Sequence, residues 1–373
     1  MKKTEKKERR GVNKYIPIAF WAFLGLAALS LIILFIMKGN SSFAEFFNRT
    51  TGRVVRFVLT SIFNIFPFSF LEMFVLAIPV LIVVLVIAVS KLGKRGVQYL
   101  TRFFCIFLCV IFSIFSVFVL GYEASYYGAT IEQNTGVDRN DLSVEELKAA
   151  AIILHDRAAA ELDNVQFLDD GQSVMPYTFY EMSDKVNEAY LKFNEKYPAY
   201  QKLYSRLKPV LLSEPWTYTH TSGLYSFFTG EANINVNYPD FIVVSTAAHE
   251  MSHQRGIGKE DEADFASFLV CIGSDDPYIR YCGYIELYRN VIGRLSGADK
   301  DAWLEVRQIE DKRIRGEINA FSTFFDKYRE NVAATVSNAV NNAYIQMHNQ
   351  PAGIKSYGLV VDLVVNYLLY SEQ

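Results

Sequence analysis

The sequence predicts an α+β, mostly helical protein in two parts: three N-terminal transmembrane helices, then a water-exposed domain with one small sheet. Three observations predict this. Three runs of about twenty residues are nearly free of charge, long enough at 1.5 Å per residue to cross a hydrocarbon core of about 30 Å. The charge is divided: residues 1–122 carry 15 Lys+Arg against 4 Asp+Glu, and the remainder 22 against 36. In the second part, helical periodicity gives way between Trp216 and Val244 to aromatic and β-branched residues punctuated by Gly223 and Gly230. With 51% hydrophobic and 21% charged residues, a disordered chain is excluded. The acidic second part argues against nucleic acid as a partner.

The expected spans are Ile16–Met37, Leu71–Ser90 with Pro79 as a kink, and Phe103–Tyr122. The first is longer than the apolar part of a signal peptide and has no small-residue cleavage site after it, so an uncleaved anchor is expected. Lys2, Lys3, Lys6, Lys7, Arg9, Arg10 and Lys14 precede it, and Lys91, Lys94, Arg95 and Arg102 fill the loop between spans two and three. Both basic clusters belong on the cytoplasmic side, which places residues 123–373 outside the cytoplasm. Between spans one and two, in about residues 44–66, Arg49, Arg53, Arg56, Thr60 and Asn64 recur at helical spacing. Phe46, Phe47, Val54, Phe57, Val58 and Ile65 fill the other side. An amphipathic helix lying on the outer membrane surface is expected, with an extension of span two as the alternative. Glu72 is expected to reach the interface.

In residues 123–373, Ser143-Val-Glu-Glu146 is a capping box opening a helix through about Leu162. A second helix is expected over roughly Tyr180–Leu207, short strands over 216–244, and helices from Ser245 onward. The tail Gly358–Tyr370 is too short for a fourth span and holds Asp362 and Asn366, so it reads as a packed helix. Cys105 and Cys109 lie in an apolar run. Whether Cys271 and Cys282 pair is left open by their spacing, and no CxxC pair exists for a thiolate zinc site. His155 and His348 read as surface residues.

The chemistry concentrates in Ala247-Ala-His-Glu-Met-Ser-His-Gln-Arg-Gly256. On a helix, His249 and His253 are one turn apart and face the same way, so two imidazoles can hold one metal ion. Glu250 then stands beside it, where a carboxylate can take a proton from water that the metal polarises. Ser245 is a plausible N-cap, and Gly256 is placed for a left-handed cap. A catalytic site needs a third ligand. Glu260 and Glu262, about 200° apart around the next helix, are the carboxylates that follow; Asp264 shares a face with Glu260 and can orient an imidazole. Nitrogen and oxygen ligands on such a helix favour Zn2+. An oxyanion stabiliser is also required, with Tyr225, Tyr238, His220, Tyr281, Tyr284 and Tyr357 as candidates.

Glu260-x-x-x-Asp264 resembles the second helix of gluzincin metallopeptidases, where the Glu ligates zinc and the Asp orients the first His; the resemblance makes Glu260 the first candidate for the third ligand and Glu262 the second. The six-residue linker from His253 is far shorter than in most gluzincins. It is closer to the Gly turn of metzincins, whose third His position is here Lys259, which cannot bind. More widely, Phe228-Thr-Gly-Glu-Ala-Asn-Ile-Asn235, the Ala248–Gly256 run, Glu260–Asp264, Arg280-Tyr-Cys-Gly-Tyr284 and Gly353-Ile-Lys-Ser-Tyr-Gly358 resemble the bacterial membrane family catalogued as domain of unknown function 3810. That resemblance implies three spans followed by a zincin-like domain, in which a strand near Thr229–Asn237 would pair with an extended substrate. The expected function is a membrane-anchored zinc-dependent metalloendopeptidase: His249, His253 and Glu260 hold the metal and Glu250 is the general base. Its partners would be the lipid bilayer and a peptide or protein substrate near the outer membrane surface. The alternative is a non-catalytic zinc-binding membrane receptor, sensor or assembly protein.

Overall fold

A computed structural model describes residues 16–371; the basic leader, Lys2–Lys14, lies outside the described residues. Helix α1 (Ile18–Gly39) is followed by α2 (Ser41–Phe47), a π-helical turn (Asn48–Gly52) and α3 (Arg53–Phe63). Two long helices come next, α4 (Phe70–Arg95) and α5 (Val97–Gly121). Helices α1, α4 and α5 are each long and apolar enough to cross a membrane. Their flanks expose Ile32, Val80, Leu81 and Ile106, a surface that a lipid phase would cover. Pro79 lies inside α4 without ending it. Lys91, Lys94, Arg95 and Arg102 gather at one end of the spans. The rest of the chain packs at the other end, against Phe70 and Gly121.

The next elements are α6 (Ile131–Thr135), α7 (Val144–Glu161), the hairpin β1 (Gln166–Phe167) and β2 (Ser173–Val174), and α8 (Phe179–Lys196). They are followed by β3 (Lys208–Pro209), α9 (Ser213–Thr217), β4 (Gly223–Ser226) and β5 (Glu231–Ile234). Helices complete the chain: α10 (Asp240–Gln254), α11 (Glu260–Ile272), α12 (Pro277–Ala298), α13 (Lys300–Ile309), α14 (Lys312–Asp326), α15 (Val332–Met347) and α16 (Val360–Asn366). The capping box at Ser143 and Glu146 opens α7 as expected. The second helix is shorter than expected. It stops at Lys196 because Pro198 excludes Tyr197 from the helical region, and Tyr197 has φ −124° and ψ 77°. Helix α10 starts at Asp240, not Ser245. Phe241–Val244 form its buried face, and the Ser245 hydroxyl donates to the Phe241 carbonyl inside the helix. The tail packs as α16.

Strand β5 is central in the three-stranded sheet, parallel to β3 and antiparallel to β4, with Gly223 opposite Ile234 and Ser226 opposite Glu231. The β4 edge faces α10. Helices α10, α11 and α12 pack on one another around Val244, Ala248, Met251, Phe265 and Ile285, and α7 lies along α12. Cys271 and Cys282 are buried free thiols in this core.

The amphipathic segment departs from the sequence expectation in an instructive way. Its apolar side is exposed at Phe46, Val54, Phe57, Val58 and Ile65, as a lipid contact requires. From Arg53 to Asn64 its polar side docks on the following domain, while Arg49 stays exposed and reaches Asn134. Arg56 is 2% exposed and donates to Gln201, Asn48 and the Gly121 carbonyl. Thr60 donates to the Gly230 carbonyl, and Asn64 donates to the Tyr204 carbonyl and accepts from the Arg206 N–H. Glu72, expected at the interface, accepts from the N–H groups of Leu211 and Leu212. Glu231 accepts in turn from the N–H groups of Phe70 and Leu71, the unpaired donors at the start of α4.

Candidate metal centre

Two adjacent helices build the site. Helix α10 carries His249 and His253 on one face and ends at Gly256, whose φ of +90° gives the left-handed cap. After three more residues α11 begins at Glu260, which brings that carboxylate back over the two imidazoles. Glu260 Oε2 lies 3.3 Å from His249 Nε2 and 3.5 Å from His253 Nε2. Among the described residues, His249, His253 and Glu260 are the one group of three ligand side chains whose ligand atoms lie within 4.8 Å of one another. Donors at about 2.0–2.1 Å around a tetrahedral ion stand about 3.3 Å apart, so the measured contacts suit such an ion.

The second nitrogen of each ring is also engaged. His249 Nδ1 lies 2.6 Å from Asp264 Oδ1, and His253 Nδ1 lies 2.8 Å from the Ile257 carbonyl. Each ring can therefore keep its proton on Nδ1 and turn the Nε2 lone pair toward Glu260. Glu262 stands outside this group and pairs with Lys259 at 2.8 Å.

Electrostatics point the same way. Burial by itself would lower the pKa of His249, but Asp264 and Glu260 hold it well above its usual value. Burial would raise Glu260, yet the two imidazoles keep it well below the usual carboxylate range. For Glu250 burial prevails and pushes its pKa up. Glu250 is 5% exposed, and its Oε2 is buried without a hydrogen-bond partner. Three carboxylates around two imidazoles in a desolvated place call for positive charge, and a divalent cation would supply it.

The Glu250 carboxylate rests against β4 and takes the Tyr225 N–H. A Cβ on Gly223 would stand 2.6 Å from Glu250 Oε1 and from Thr246, so glycine is what lets strand and helix approach. The cluster lies on the wall of a cavity of about 1210 Å³, bounded by β4, α10, α12, α15 and the Tyr357 turn. Of the six oxyanion candidates, Tyr225, Tyr238, His220 and Tyr357 line it. The Tyr225 hydroxyl is buried without a partner, His220 Nε2 is 2.7 Å from the Tyr328 carbonyl, and the Tyr357 ring centre lies 6.4 Å from that of His249. Tyr281 is remote, donating to buried Glu317, and Tyr284 packs near Phe268 off the cavity wall.

Sequence reasoning missed Tyr122. It directly follows α5, and its hydroxyl lies 3.0 Å from His253 Nδ1. Tyr126, also on the cavity wall, pairs its hydroxyl with that of Tyr344 on α15 at 3.0 Å. A tyrosine at the end of an apolar run looks like an ordinary interfacial anchor, so nothing local marked it. His155 and His348 are buried, not surface residues. His155 Nε2 accepts from the Asp311 N–H, and His348 packs against Phe118 and Tyr126.

The architecture and site thus define a mostly helical protein with three apolar helices of membrane-crossing length and a buried His-His-Glu cluster. A family model described as a protein of unknown function (DUF3810) matches residues 47–365, and the chain belongs to that family. No curated protein and no solved structure matches it.

Proposed function

We propose that this protein is a membrane-anchored zinc-dependent endopeptidase whose site lies on the non-cytoplasmic side. The observation that carries the reading is Glu250: a buried carboxylate with an unpartnered oxygen, beside three convergent ligand atoms, on the wall of a large cavity. A purely structural metal site has no use for such a group. When bound, zinc polarises a carbonyl and lowers the pKa of water. Glu250 accepts the proton of the attacking water and passes it to the leaving amine; its burial favours the protonated state it must visit. His249, His253 and Glu260 hold the ion, and Asp264 fixes the His249 ring. Tyr357, on the cavity wall with its ring 6.4 Å from that of His249, is the candidate donor to the developing oxyanion, with Tyr225, whose ring lies 6.5 Å from that of His253, as the other. Strand β4, an outer strand of the sheet on the cavity wall, offers its remaining backbone groups to an extended peptide.

The test is Glu250→Gln in the full-length, detergent-solubilised protein with a broad peptide library. Zinc content and fold should be unchanged, and hydrolysis should fall by about 10²–10⁴-fold. Undiminished hydrolysis would remove Glu250 from the reaction. For orientation, a cysteine at exposed Gly297 should react with a membrane-impermeant thiol reagent on intact cells; labelling only after lysis would reverse the topology.

A further inference from the structure

The site is built onto the ends of the spans, and this bears on what it cuts. Tyr122 is the first residue after α5, and its hydroxyl touches the His253 ring. The ligand cluster therefore lies within about one tyrosine side chain of a span's end. The interfacial zone of a bilayer adds only about 5–8 Å beyond the hydrocarbon on each side. The cavity wall nearest the spans is apolar: Leu71 from the first turn of α4, and Phe227 and Phe228 from the β4–β5 turn. Those two rings rest on the spans themselves, Phe227 at 4.7 Å from Phe118 of α5 and Phe228 at 5.8 Å from Phe74 of α4. The α15 wall brings Ser337, Asn338 and Asn341 to the cavity, beside Val340 and Tyr344.

The geometry points to a substrate anchored in the same membrane: a polypeptide cut in the extended segment that joins its transmembrane helix to its water-exposed part. This rests on the peptidase reading above. An extended chain covers about 3.3 Å per residue, so a scissile bond at the cluster lies within about ten residues of the substrate's own anchor. The apolar wall receives the residues leaving the bilayer, and the amide-bearing wall faces those further out. The Glu250 carboxylate and the three ligand side chains are then at a fixed height above the membrane, and that height selects the bond.

The experiment uses the full chain, zinc-loaded, in phosphatidylcholine–phosphatidylglycerol vesicles. The probe is a fluorescent protein joined through a randomised 30-residue linker to a single transmembrane helix, with the same fusion lacking the helix as comparison. Co-reconstitution alone raises effective concentration, so the position of the cut decides. The expected result is cleavage clustered within about ten residues of the anchor. When a ten-residue Gly-Ser spacer is inserted beside the anchor, cleavage should move into the spacer or stop. Cuts that follow linker sequence at any distance from the anchor, or equal cutting of the helix-free fusion at the same sites, would overturn the inference while leaving the peptidase intact. No Glu250-dependent cutting of either probe would overturn the peptidase reading itself.

Discussion

The two histidines of the cluster are supported from opposite directions. His249 is held from within its own neighbourhood, by Asp264 on the next helix, fifteen residues along the chain. His253 is held by the Ile257 carbonyl and by Tyr122, which arrives from the end of a membrane-length helix 131 residues away. The same asymmetry runs through the surroundings. Around His249 the packing is the ordinary apolar core of α10, α11 and α12. Around His253 it is polar and long-range: Asn48 donates to the Gly256 carbonyl, Gln254 donates to the Gly230 carbonyl, and Arg56 sits where a side chain on Gly256 would be. One side of the site belongs to a self-sufficient helical motif. The other is completed by the α2–α3 segment, which lies between the long apolar helices and the domain that follows them.

The largest effect should come from removing both imidazoles. His249→Ala with His253→Ala leaves one carboxylate of the three-ligand group, and stoichiometric zinc in the purified protein should be lost. Zinc retained in that variant would place the metal elsewhere. Next is the local support. Asp264→Ala should cost about 10–100-fold in zinc affinity, read by competition with a chelating dye, because Asp264 is the hydrogen-bond partner of His249 Nδ1.

A smaller effect, on stability rather than affinity, tests the docked segment. Lys208 is 1% exposed and donates to the Phe63 and Phe66 carbonyls at the end of α3. Lys208→Met keeps the bulk and leaves those acceptors unpaired, a cost of about 1–3 kcal/mol. It should appear as a lower denaturation midpoint in detergent, with zinc affinity changed little. Burial also lowers the Lys208 pKa from its usual 10.5 to about 8. A depressed lysine pKa means that the folded state sheds its proton first. Stability should therefore rise between about pH 8 and pH 10.5 in the wild type relative to Lys208→Met, and a flat difference would show that the lysine is not desolvated in the folded state.

How much was legible follows the same division. His249, Glu250, His253, Glu260 and Asp264 lie within sixteen consecutive residues, and helical spacing puts the two imidazoles on one face and Glu260 with Asp264 on another; that the two faces meet is seen only in the structure. The preference for Glu260 over Glu262 rests on the likeness of Glu260-x-x-x-Asp264 to the gluzincin helix, and the structure brings Glu260 to the imidazoles while Glu262 pairs with Lys259. The amphipathic segment was recognised as a helix, but periodicity records only that one side is polar. It cannot say whether that side meets water, phosphate or, as for Arg56 and Thr60, the carbonyls of another part of the chain. Glu72 and Tyr122 were hidden for a related reason. A polar residue at the end of a span has a sufficient explanation in the interface, so its distant partner leaves no trace in local pattern. His155 and His348 were misplaced because a histidine in a helical pattern does not reveal which face packs.

The smallest effect should be the most informative about the two-sided support. Tyr122→Phe removes one hydroxyl and keeps the ring, which packs 5.0 Å from Tyr225 and 5.5 Å from Tyr126. The Ile257 carbonyl remains 2.8 Å from His253 Nδ1, so the ring keeps a partner and its tautomer. Zinc affinity should therefore weaken by less than about tenfold, well short of the loss expected for Asp264→Ala, where no such alternate partner remains. The denaturation midpoint should hardly move, which separates a positioning role from a loss of packing. A loss in Tyr122→Phe as large as that in Asp264→Ala would mean that the phenol, not the backbone carbonyl, sets the His253 ring. Control of the metal would then pass directly through the end of α5. No change at all in affinity would reduce Tyr122 to a wall of the cavity and leave His253, like His249, supported wholly by its own helices.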